Sequence, residues 1–310
     1  MSADVNSGRH GFEFDLMSLD LGALNAITCW PIQVRIAGTD IILPLAHGPH
    51  FPPFLLTRNE KCHHPYCASF FIAEQKIRIW DEALKFIFEF ISKNRLSIPL
   101  LLWQYQDTEH SAFIELRYAD FAPQEGELQL TFVIDKIAVY SLTFSVIPGA
   151  VVGHKTKRLI FVGGFQGRPN CRDHLNVAVH VTKGIHPNIM LMLSLQALGQ
   201  FWGLDVIAGI SAKQQISANT PELTTRLEAL YDQFWLNFGG TAASTDRNLF
   251  FIPTIPRDKP KENSSHMRRA AQRQAARNVV YTNILRNIKS SQLNYRVGRD
   301  GALLKQEASG

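Results

Sequence analysis

Residues 158–211 constrain the fold of this chain more than any other stretch, because apolar residues change there from a strand pattern to a helix pattern and back. Leu159 to Val162 form a short apolar run that ends at the glycine pair Gly163-Gly164. A run of this length bounded by glycine is typical of a buried strand that leads into a turn. The stretch therefore predicts a buried strand followed by a glycine turn, and Gly167 with Pro169 ends any continuation of the strand.

The segment after this strand has two overlapping apolar patterns. From Arg172 to Lys183 apolar residues recur at spacings of three and four, which favours a helix. Every second residue from Val177 to Val181 is a valine, which is also typical of a half-buried strand. Both interpretations stay open for this segment.

A second helix and a strand complete the stretch. Gly184 ends the first segment, and Pro187 suits the first turn of a new helix, where its missing N–H is not needed. This helix is almost wholly apolar, so we expect it to be buried. Leu204 to Ile210 then return to a strand pattern. The order predicts an α/β (α+β) fold, with a mixed sheet flanked by helices.

The preceding residues predict a helix and a hairpin that leads into the central strand. Ala73 to Asn94 place apolar residues three and four apart between charged ones, as in an amphipathic helix. Glu127 to Val133 and Ile137 to Val146 are apolar runs separated by Asp135-Lys136, which favours an antiparallel hairpin.

The residues after the central stretch predict a helix, a strand and a basic helix. Pro221 suits the first turn of a helix that ends at Phe238, before Gly239-Gly240. Leu249 to Ile255 are strand-like, and residues 266–290 have a helical pattern.

The patterns divide the chain into three regions. Residues 1–55 are an N-terminal extension that is partly irregular. Residues 56–256 are the main α/β domain, helical over 56–100 and sheet-forming over 101–256. Residues 257–310 are a linker, the basic helix and a tail.

Positive charge is concentrated at the C-terminal end. The chain has 32 Lys and Arg against 27 Asp and Glu. Residues 257–310 hold twelve basic and four acidic residues, a net charge of +8, which leaves −3 for the rest of a chain of net charge +5. On the basic helix Arg269, Arg273 and Arg277 stand four apart and form one row. Like charges at this spacing repel, which favours either a bound anionic partner or a solvated helix face.

The cysteines point to a reducing compartment. Cys29, Cys62, Cys67 and Cys171 are scattered through a chain too large to depend on disulfides, which favours the cytoplasm. The string from Cys62 to Cys67, CHHPYC, contains zinc-type ligands, but no second pair at comparable spacing follows, so we predict no metal site.

No apolar run of about 18 residues occurs, so we expect no transmembrane segment. A peripheral position on the inner membrane is the alternative location.

Several stretches together resemble the VirK/YbjX family of bacterial proteins. The resemblance covers residues 56–292, and the matching strings are EGELQLTF, VYSLTFS, LIFVGGFQG, ALGQFWGLDVIAGIS, YDQFWLNFGG and RRAAQRQAARN. The family pattern has an arginine and a lysine around the proline where this chain has His186 and Asn188. The biochemical activity of the family is unknown. The resemblance implies a link to virulence and to resistance against antimicrobial peptides at the envelope.

The order of the predicted elements also resembles the N-acetyltransferase superfamily. There a hairpin leads to a central strand, a glycine-containing loop opens a helix, a strand follows, and a helix with an aromatic-Tyr-x-x-x-Gly string closes the site. Trp235 stands where that string has the tyrosine that protonates a leaving thiolate. The resemblance implies an acyl-CoA donor, whose pyrophosphate binds at a helix N-terminus because the unpaired N–H groups and the dipole favour an anion.

The first hypothesis of function is therefore an acyltransferase-like protein, which transfers an acyl group from acyl-CoA or an acyl carrier to an amine on a peptide or lipid. The residues expected to bind the donor are Gly184, Ile185, His186 and Asn188. Gln166 faces the acceptor, Tyr231 is the acid, and the general base is His180, Asp205 or Glu228.

The second hypothesis is a non-catalytic binding or regulatory protein that holds an anionic partner on Arg269, Arg273 and Arg277. The chain has no Gly-x-Ser-x-Gly elbow, no P-loop and no His-Glu-x-x-His helix. These absences disfavour serine hydrolysis, nucleoside-triphosphate chemistry and metalloproteolysis.

Overall fold

The computed structural model describes residues 32–36, 39–43, 61, 63–94, 98–120, 122–216, 231–243, 249–256 and 271–291. The chain divides into two compact units, Met1–Pro53 and Phe54–Gly310. In the first unit, β1 (Ile32–Ile36) and β2 (Thr39–Leu43) pair as an antiparallel hairpin.

The described residues of the second unit form five helices and eight strands. Its helices are α1 (Ala73–Asn94), α2 (Arg172–Val181), α3 (Pro187–Trp202), α4 (231–237 as described) and α5 (271–291 as described). Its strands are β3 (Leu100–Gln106), β4 (Ser111–Tyr118), β5 (Leu128–Ile134), β6 (Ile137–Pro148), β7 (Arg158–Gly167), β8 (Val206–Ile210), β9 (Thr241–Ala242) and β10 (Leu249–Pro253).

In the described part of this unit, eight strands form one mixed sheet in the order β3-β4-β5-β6-β7-β8-β10-β9. Strands β7 and β8 are parallel, and the other neighbours are antiparallel. Parallel neighbours need a long crossover, which α2 and α3 provide. The predicted α/β fold with a mixed sheet flanked by helices is confirmed.

The predicted hairpin is confirmed as β5 and β6. Asp135 and Lys136 form its turn with φ of 47° and 68°, the left-handed conformation that a two-residue hairpin turn needs. The Asp135 carboxylate supports this turn, because it accepts hydrogen bonds from the Ser111 backbone N–H and the His110 ring, each at 2.8 Å. The predicted helix over Ala73–Asn94 is also confirmed, with the same bounds.

The ambiguous segment after the central strand is a helix, α2. Its end is capped by backbone N–H groups, since Gly184 N donates to the Val179 carbonyl at 2.8 Å with a φ of 85° at Gly184. Gly203 caps α3 in the same way, with a φ of 69°, and Leu204 N donates to the Gly199 carbonyl. Because Leu204 belongs to this cap, the following strand starts at Val206 rather than at Leu204.

Strand β7 contributes to two hydrophobic clusters, because successive side chains point to opposite faces of a sheet. Ile160 and Val162 belong to the cluster that contains α3, whereas Leu159 and Phe161 belong to the cluster that contains the first half of α1. At the start of β7, Arg158 contacts Glu82 and, at 2.9 Å, Glu89 of α1. The strand is therefore held between the two helices along its first half.

Helix α5 packs on this core. Its side chains Ile284 and Ile288 are fully buried in the cluster that contains α3. Asn287 Nδ2 donates to the Leu102 carbonyl of β3 at 3.2 Å. Among the described helices, none has the length and apolarity to cross a membrane.

Candidate active site at the end of strand β7

The parallel pairing of β7 and β8 stops before β7 does. Paired positions run from Ile160 with Ile207 to Val162 with Gly209, and β7 continues to Gly167. Against β6 the register shifts between Val162 and Gly164, so Gly163 is an extra residue and forms a β-bulge. The predicted glycine turn after Val162 is therefore wrong, whereas the strand does end at Gly167, where Gly167 and Pro169 are predicted to stop any continuation. The glycine pair bends the strand, and beyond it the backbone that faces β8 needs other hydrogen-bond partners.

Side chains of α4 donate to one carbonyl on each strand beyond the paired positions. The Tyr231 hydroxyl donates to the carbonyl oxygen of Phe165 on β7. The Trp235 indole N–H donates to the carbonyl oxygen of Ile210 on β8 at 2.8 Å, and its ring lies against Gly209, where a Cβ would overlap it. Trp235 is fully buried, so its place in the closing helix is structural.

A polar cluster lies at this end of β7, with three buried residues and the half-buried Gln166. We call Glu125, Gln166, Gln215 and Tyr231 the Glu125 cluster. Gln166 Nε2 donates to Glu125 Oε1 at 2.8 Å, and Gln215 Nε2 donates to the Tyr231 hydroxyl at 2.9 Å. Burial raises the pKa of Tyr231 well above 10, and the charge of Glu125 raises it further. The structure thus brings the predicted site residues Gln166 and Tyr231 together around a carboxylate that is only 1% exposed.

The glycine pair makes room for Glu125. A Cβ at Gly164 would overlap the Glu125 carboxylate, and a Cβ at Gly163 would overlap the Glu125 backbone carbonyl. Glu125 ends the short 3₁₀ turn Pro123–Glu125, and Gly126 follows with a φ of 156°. The bulge, the turn and the two glycines together hold a carboxylate against the strand backbone.

A second buried carboxylate, Glu127, lies on the other side of Gly126 and is fully paired. Lys61 Nζ is 2.8 Å from Glu127 Oε1 and donates to the Pro123 carbonyl at 2.7 Å. The Tyr66 hydroxyl also donates to Oε1, and Ser145 Oγ donates to Oε2 at 2.5 Å. Lys61 is 2% exposed and Glu127 is 1% exposed. This Glu127 cluster (Lys61, Tyr66, Glu127 and Ser145) fixes Lys61 and the segment 63–68 to the sheet.

Cys67 lies beside this cluster as a protonated thiol. Its Sγ is 3.6 Å from Ser145 Oγ, and burial, followed by the charge of Glu127, raises its pKa to about 12. His63 and His64 are exposed, and Cys62 lies outside the described residues. In the part of the chain that the structure describes, no three His, Cys, Asp or Glu side chains are grouped as metal ligands are.

The predicted donor-binding residues lie at the start of α3. His186 is the N-cap residue, and its Nδ1 is 2.9 Å from Asn188 Oδ1. Gly184 is exposed, and a Cβ there would meet nothing within 4 Å. Ile185 packs its side chain into the core, and its N–H, like that of Gly184, is used to end α2. Of the four residues, Gly184 is thus exposed, and His186 and Asn188 are half-buried.

An aromatic side chain that sequence reasoning missed connects the two groups. The Tyr140 ring meets the Phe165 ring edge-on at 5.2 Å and the His186 ring edge-on at 6.0 Å. Tyr140 also contributes to the raised pKa of Tyr231. The Tyr140 ring therefore lies between His186 at the start of α3 and Phe165, whose carbonyl accepts the hydrogen bond from Tyr231 of the Glu125 cluster.

The remaining predicted residues lie on helices. His180 is exposed on the last turn of α2. Arg273 is exposed on α5, and Arg277 is half-buried with its guanidinium 5.8 Å from the centre of the Phe238 ring. Arg269 and Glu228 lie outside the described residues.

Sequence reasoning missed Glu125 and Gln215. The sequence signal for Glu125 was a Glu-Gly-Glu string together with a glycine pair elsewhere in the chain. At both places the backbone and side chains need unusual space. Neither string has a periodicity that points to the other, because Glu125 and Gln166 are 41 residues apart.

The family of proteins described as "Protein of unknown function (DUF535)" matches residues 53–277. Because this match covers more than half of the chain, the protein belongs to the DUF535 family, which is the VirK/YbjX family that its sequence resembles. No curated protein matches the chain.

Proposed function

We propose that this DUF535 protein is an acyltransferase, which moves an acyl group from acyl-CoA or an acyl carrier to an amine on a peptide or lipid. The observation that carries the proposal is the parallel β7–β8 pair, whose pairing ends at Val162 beside a buried carboxylate. The element order also supports it. A hairpin, a central strand, a helix opened after a glycine, a parallel strand and a closing helix follow one another, as the N-acetyltransferase resemblance implies.

The donor would bind across the start of α3 and the end of β7. In the first turn of α3, Pro187 has no N–H, and the Ile189 and Met190 N–H groups already donate to the His186 carbonyl at 2.9 and 3.2 Å. An anion there would therefore be held by the Asn188 N–H and favoured by the helix dipole. The open space at Gly184 fits a pyrophosphate, with His186 and Asn188 at its side. An extended amide-containing arm would then pair with strand backbone beyond Val162, as an added strand does.

In this proposal Glu125 is the general base. Its carboxylate takes a proton from the acceptor amine, and the amine nitrogen attacks the thioester carbonyl carbon. The C–S bond breaks, and the thiolate leaves and takes up a proton. Gln166 positions the carboxylate through its 2.8 Å hydrogen bond. His180 remains the alternative base, at an exposed position on α2.

Tyr231 has a proton to give but holds it in a structural bond. Its raised pKa keeps the hydroxyl protonated, and the hydrogen is directed at the Phe165 carbonyl. To protonate a leaving thiolate, the hydroxyl has to leave this carbonyl. We therefore expect Tyr231→Phe to disturb the part of β7 beyond Val162, where the pairing with β8 has ended, as well as the proton transfer.

The test begins with ligand binding by the full chain. A ligand that binds only the folded state raises the melting temperature, so coenzyme A, acetyl-CoA, long-chain acyl-CoA, NAD and ATP are compared. We expect a shift with the CoA series alone, followed by acyl transfer to an amine. Glu125→Gln should keep the shift and lose transfer, whereas His180→Ala should keep both. A folded wild-type protein with neither shift nor transfer contradicts the proposal.

The arginine row supports the second hypothesis less well. Arg273 is exposed, but Arg277 is half-buried over the Phe238 ring, so the two do not form one uniform exposed face. Binding of an anionic partner through the whole row would weaken steeply with rising salt, whereas donor binding in a cleft would change much less. Salt dependence therefore separates the two hypotheses.

A further inference from the structure

A small pocket of about 80 Å³ lies between α3, the end of α4, and α5. It shares no residue with the Glu125 cluster. Its apolar walls include Leu193, Leu236, Phe238 and Pro256, and its polar lining includes Gln196 and Arg277. A cavity of this size holds more than a single water molecule.

Gln196, which lines this pocket, has a buried acceptor. The residue is fully buried on α3, and its Nε2 donates to the Pro253 carbonyl at 2.8 Å. Its Oε1 is buried with no hydrogen-bond partner in the described part of the chain. Buried side-chain acceptors are satisfied in the great majority of cases, so this oxygen is suited to receive a donor from a bound molecule.

Arg277 presents a positive charge without a carboxylate partner among the described residues. Its guanidinium lies over the Phe238 ring, and burial, followed by the nearby Arg273 charge, lowers its pKa. The carbonyls at the end of α4 are already used, since the Trp235 carbonyl accepts from Gly240 N at 3.0 Å and that of Leu236 from Gly239 N at 3.1 Å. An anion in the pocket would therefore pair with a partly desolvated guanidinium, where such a bond is strong.

We propose that this pocket binds a small apolar carboxylic acid with an N–H or O–H donor next to its carboxylate, as in an N-acylated apolar amino acid. The carboxylate pairs with Arg277, and the donor satisfies Gln196 Oε1. The apolar part packs against Leu193 and Phe238. A monoanion suits this pocket better than a phosphate dianion, because one guanidinium compensates one charge and the walls are largely apolar.

The test is calorimetric titration of the full chain with N-acetyl-leucine. We expect saturable binding of one molecule per chain and at least tenfold weaker binding by Arg277→Gln. The matched control is Arg273→Gln, which removes an exposed arginine one turn away on the same helix and should change the affinity less than twofold. Gln196→Met keeps the side-chain volume and should weaken binding severalfold. The methyl ester of the same ligand, which has no carboxylate, should not bind.

Three results would overturn the proposal. The first is an absence of saturable binding to folded wild-type protein at millimolar ligand. The second is equal weakening by Arg273→Gln and Arg277→Gln, which would mean attraction to surface charge. The third is equally tight binding of inorganic phosphate, which would mean a site for any anion. Glu125→Gln leaves this pocket unchanged, so these results are independent of the proposed acyl transfer.

Discussion

Two glutamates flank Gly126, and both are only 1% exposed, yet their surroundings differ in kind. Glu127 faces the ammonium of Lys61 and two hydroxyl donors, which occupy both of its oxygens. Glu125 accepts an amide donor from Gln166 and acts electrostatically on Tyr231 at the end of β7. Glu127 therefore has the surroundings of a structural residue, whereas Glu125 lies beside the end of the β7–β8 pairing, next to the two residues proposed for acyl transfer.

The two glutamates also share one scaffold. Cys67 N donates to the Gln124 carbonyl at 2.8 Å, so the segment fixed by Glu127 supports the turn that carries Glu125. Burial alone therefore does not identify a functional carboxylate. The two glutamates differ in the donors that bond to each carboxylate, and only Glu125 lies beside the end of the β7–β8 pairing.

The largest effect should come from breaking the Glu127 cluster. Glu127→Ala leaves the Lys61 ammonium buried without its carboxylate, which typically lowers the free energy of unfolding by about 3–5 kcal/mol. Urea denaturation measures this change. The control is the double variant Lys61→Met with Glu127→Leu, which removes both charges and should cost much less. A loss below about 1 kcal/mol for Glu127→Ala, as for an exposed ion pair, would contradict the structural role.

The second prediction concerns alkaline pH. The pKa of Cys67 rises from its ordinary 9.0 to about 12 in the folded state, so above pH 9 the unfolded chain loses this proton first. The free energy of unfolding should therefore fall between pH 9 and 12, by up to about 1.4 kcal/mol per pH unit for this group. Urea denaturation at several pH values checks it. Cys67→Ala should make the fall shallower, because its thiol no longer contributes, and an unchanged slope would refute this assignment.

The third prediction separates the two glycines of the bulge. Gly163→Ala places a Cβ on the backbone carbonyl of Glu125, which cannot move without its strand neighbours, so a loss of about 1–3 kcal/mol is expected. Gly164→Ala displaces only the Glu125 carboxylate, so the protein should stay folded and lose acyl transfer. Denaturation and transfer assays are compared for both. Full transfer activity in folded Gly164→Ala would remove Glu125 from the site.

The smallest effect is expected at His180. Its side chain is exposed on α2, so His180→Ala should change the free energy of unfolding by less than about 0.5 kcal/mol. If Glu125 is the base, transfer should also continue in this variant. A loss of transfer in folded His180→Ala, together with normal transfer in Glu125→Gln, would reverse the assignment of the base.

The fold was more predictable from the sequence than the site. The bounds of α1 and the β5–β6 hairpin follow from local periodicity and from the turn residues Asp135 and Lys136, which depend on near neighbours alone. The glycine pair in β7 does not form the predicted turn, because a glycine pair serves equally for a turn and for a bulge, and only the sheet partner decides between them.

The site depends on contacts between distant residues. Gln166 and Tyr231 were expected from the resemblance, but Glu125 joins them only when the turn before β5 folds over the glycine pair. The row of arginines on α5 was visible in the sequence, whereas its packing was not. Ile284 and Ile288, seven and eleven residues after Arg277 and so on the same face of the helix, are buried in the core, which turns Arg277 toward Phe238.

Hydrogen–deuterium exchange of the full chain, with and without acetyl-CoA, tests whether the end of β7 is the acyl-transfer site. We expect acetyl-CoA to slow exchange in two segments, residues 163–168 at the end of β7 and residues 184–190 at the start of α3, because the donor would cover both. Exchange in α5 should stay unchanged. Protection confined to α5, or no protection in folded protein at saturating acetyl-CoA, would contradict the proposal that the end of β7 is the acyl-transfer site.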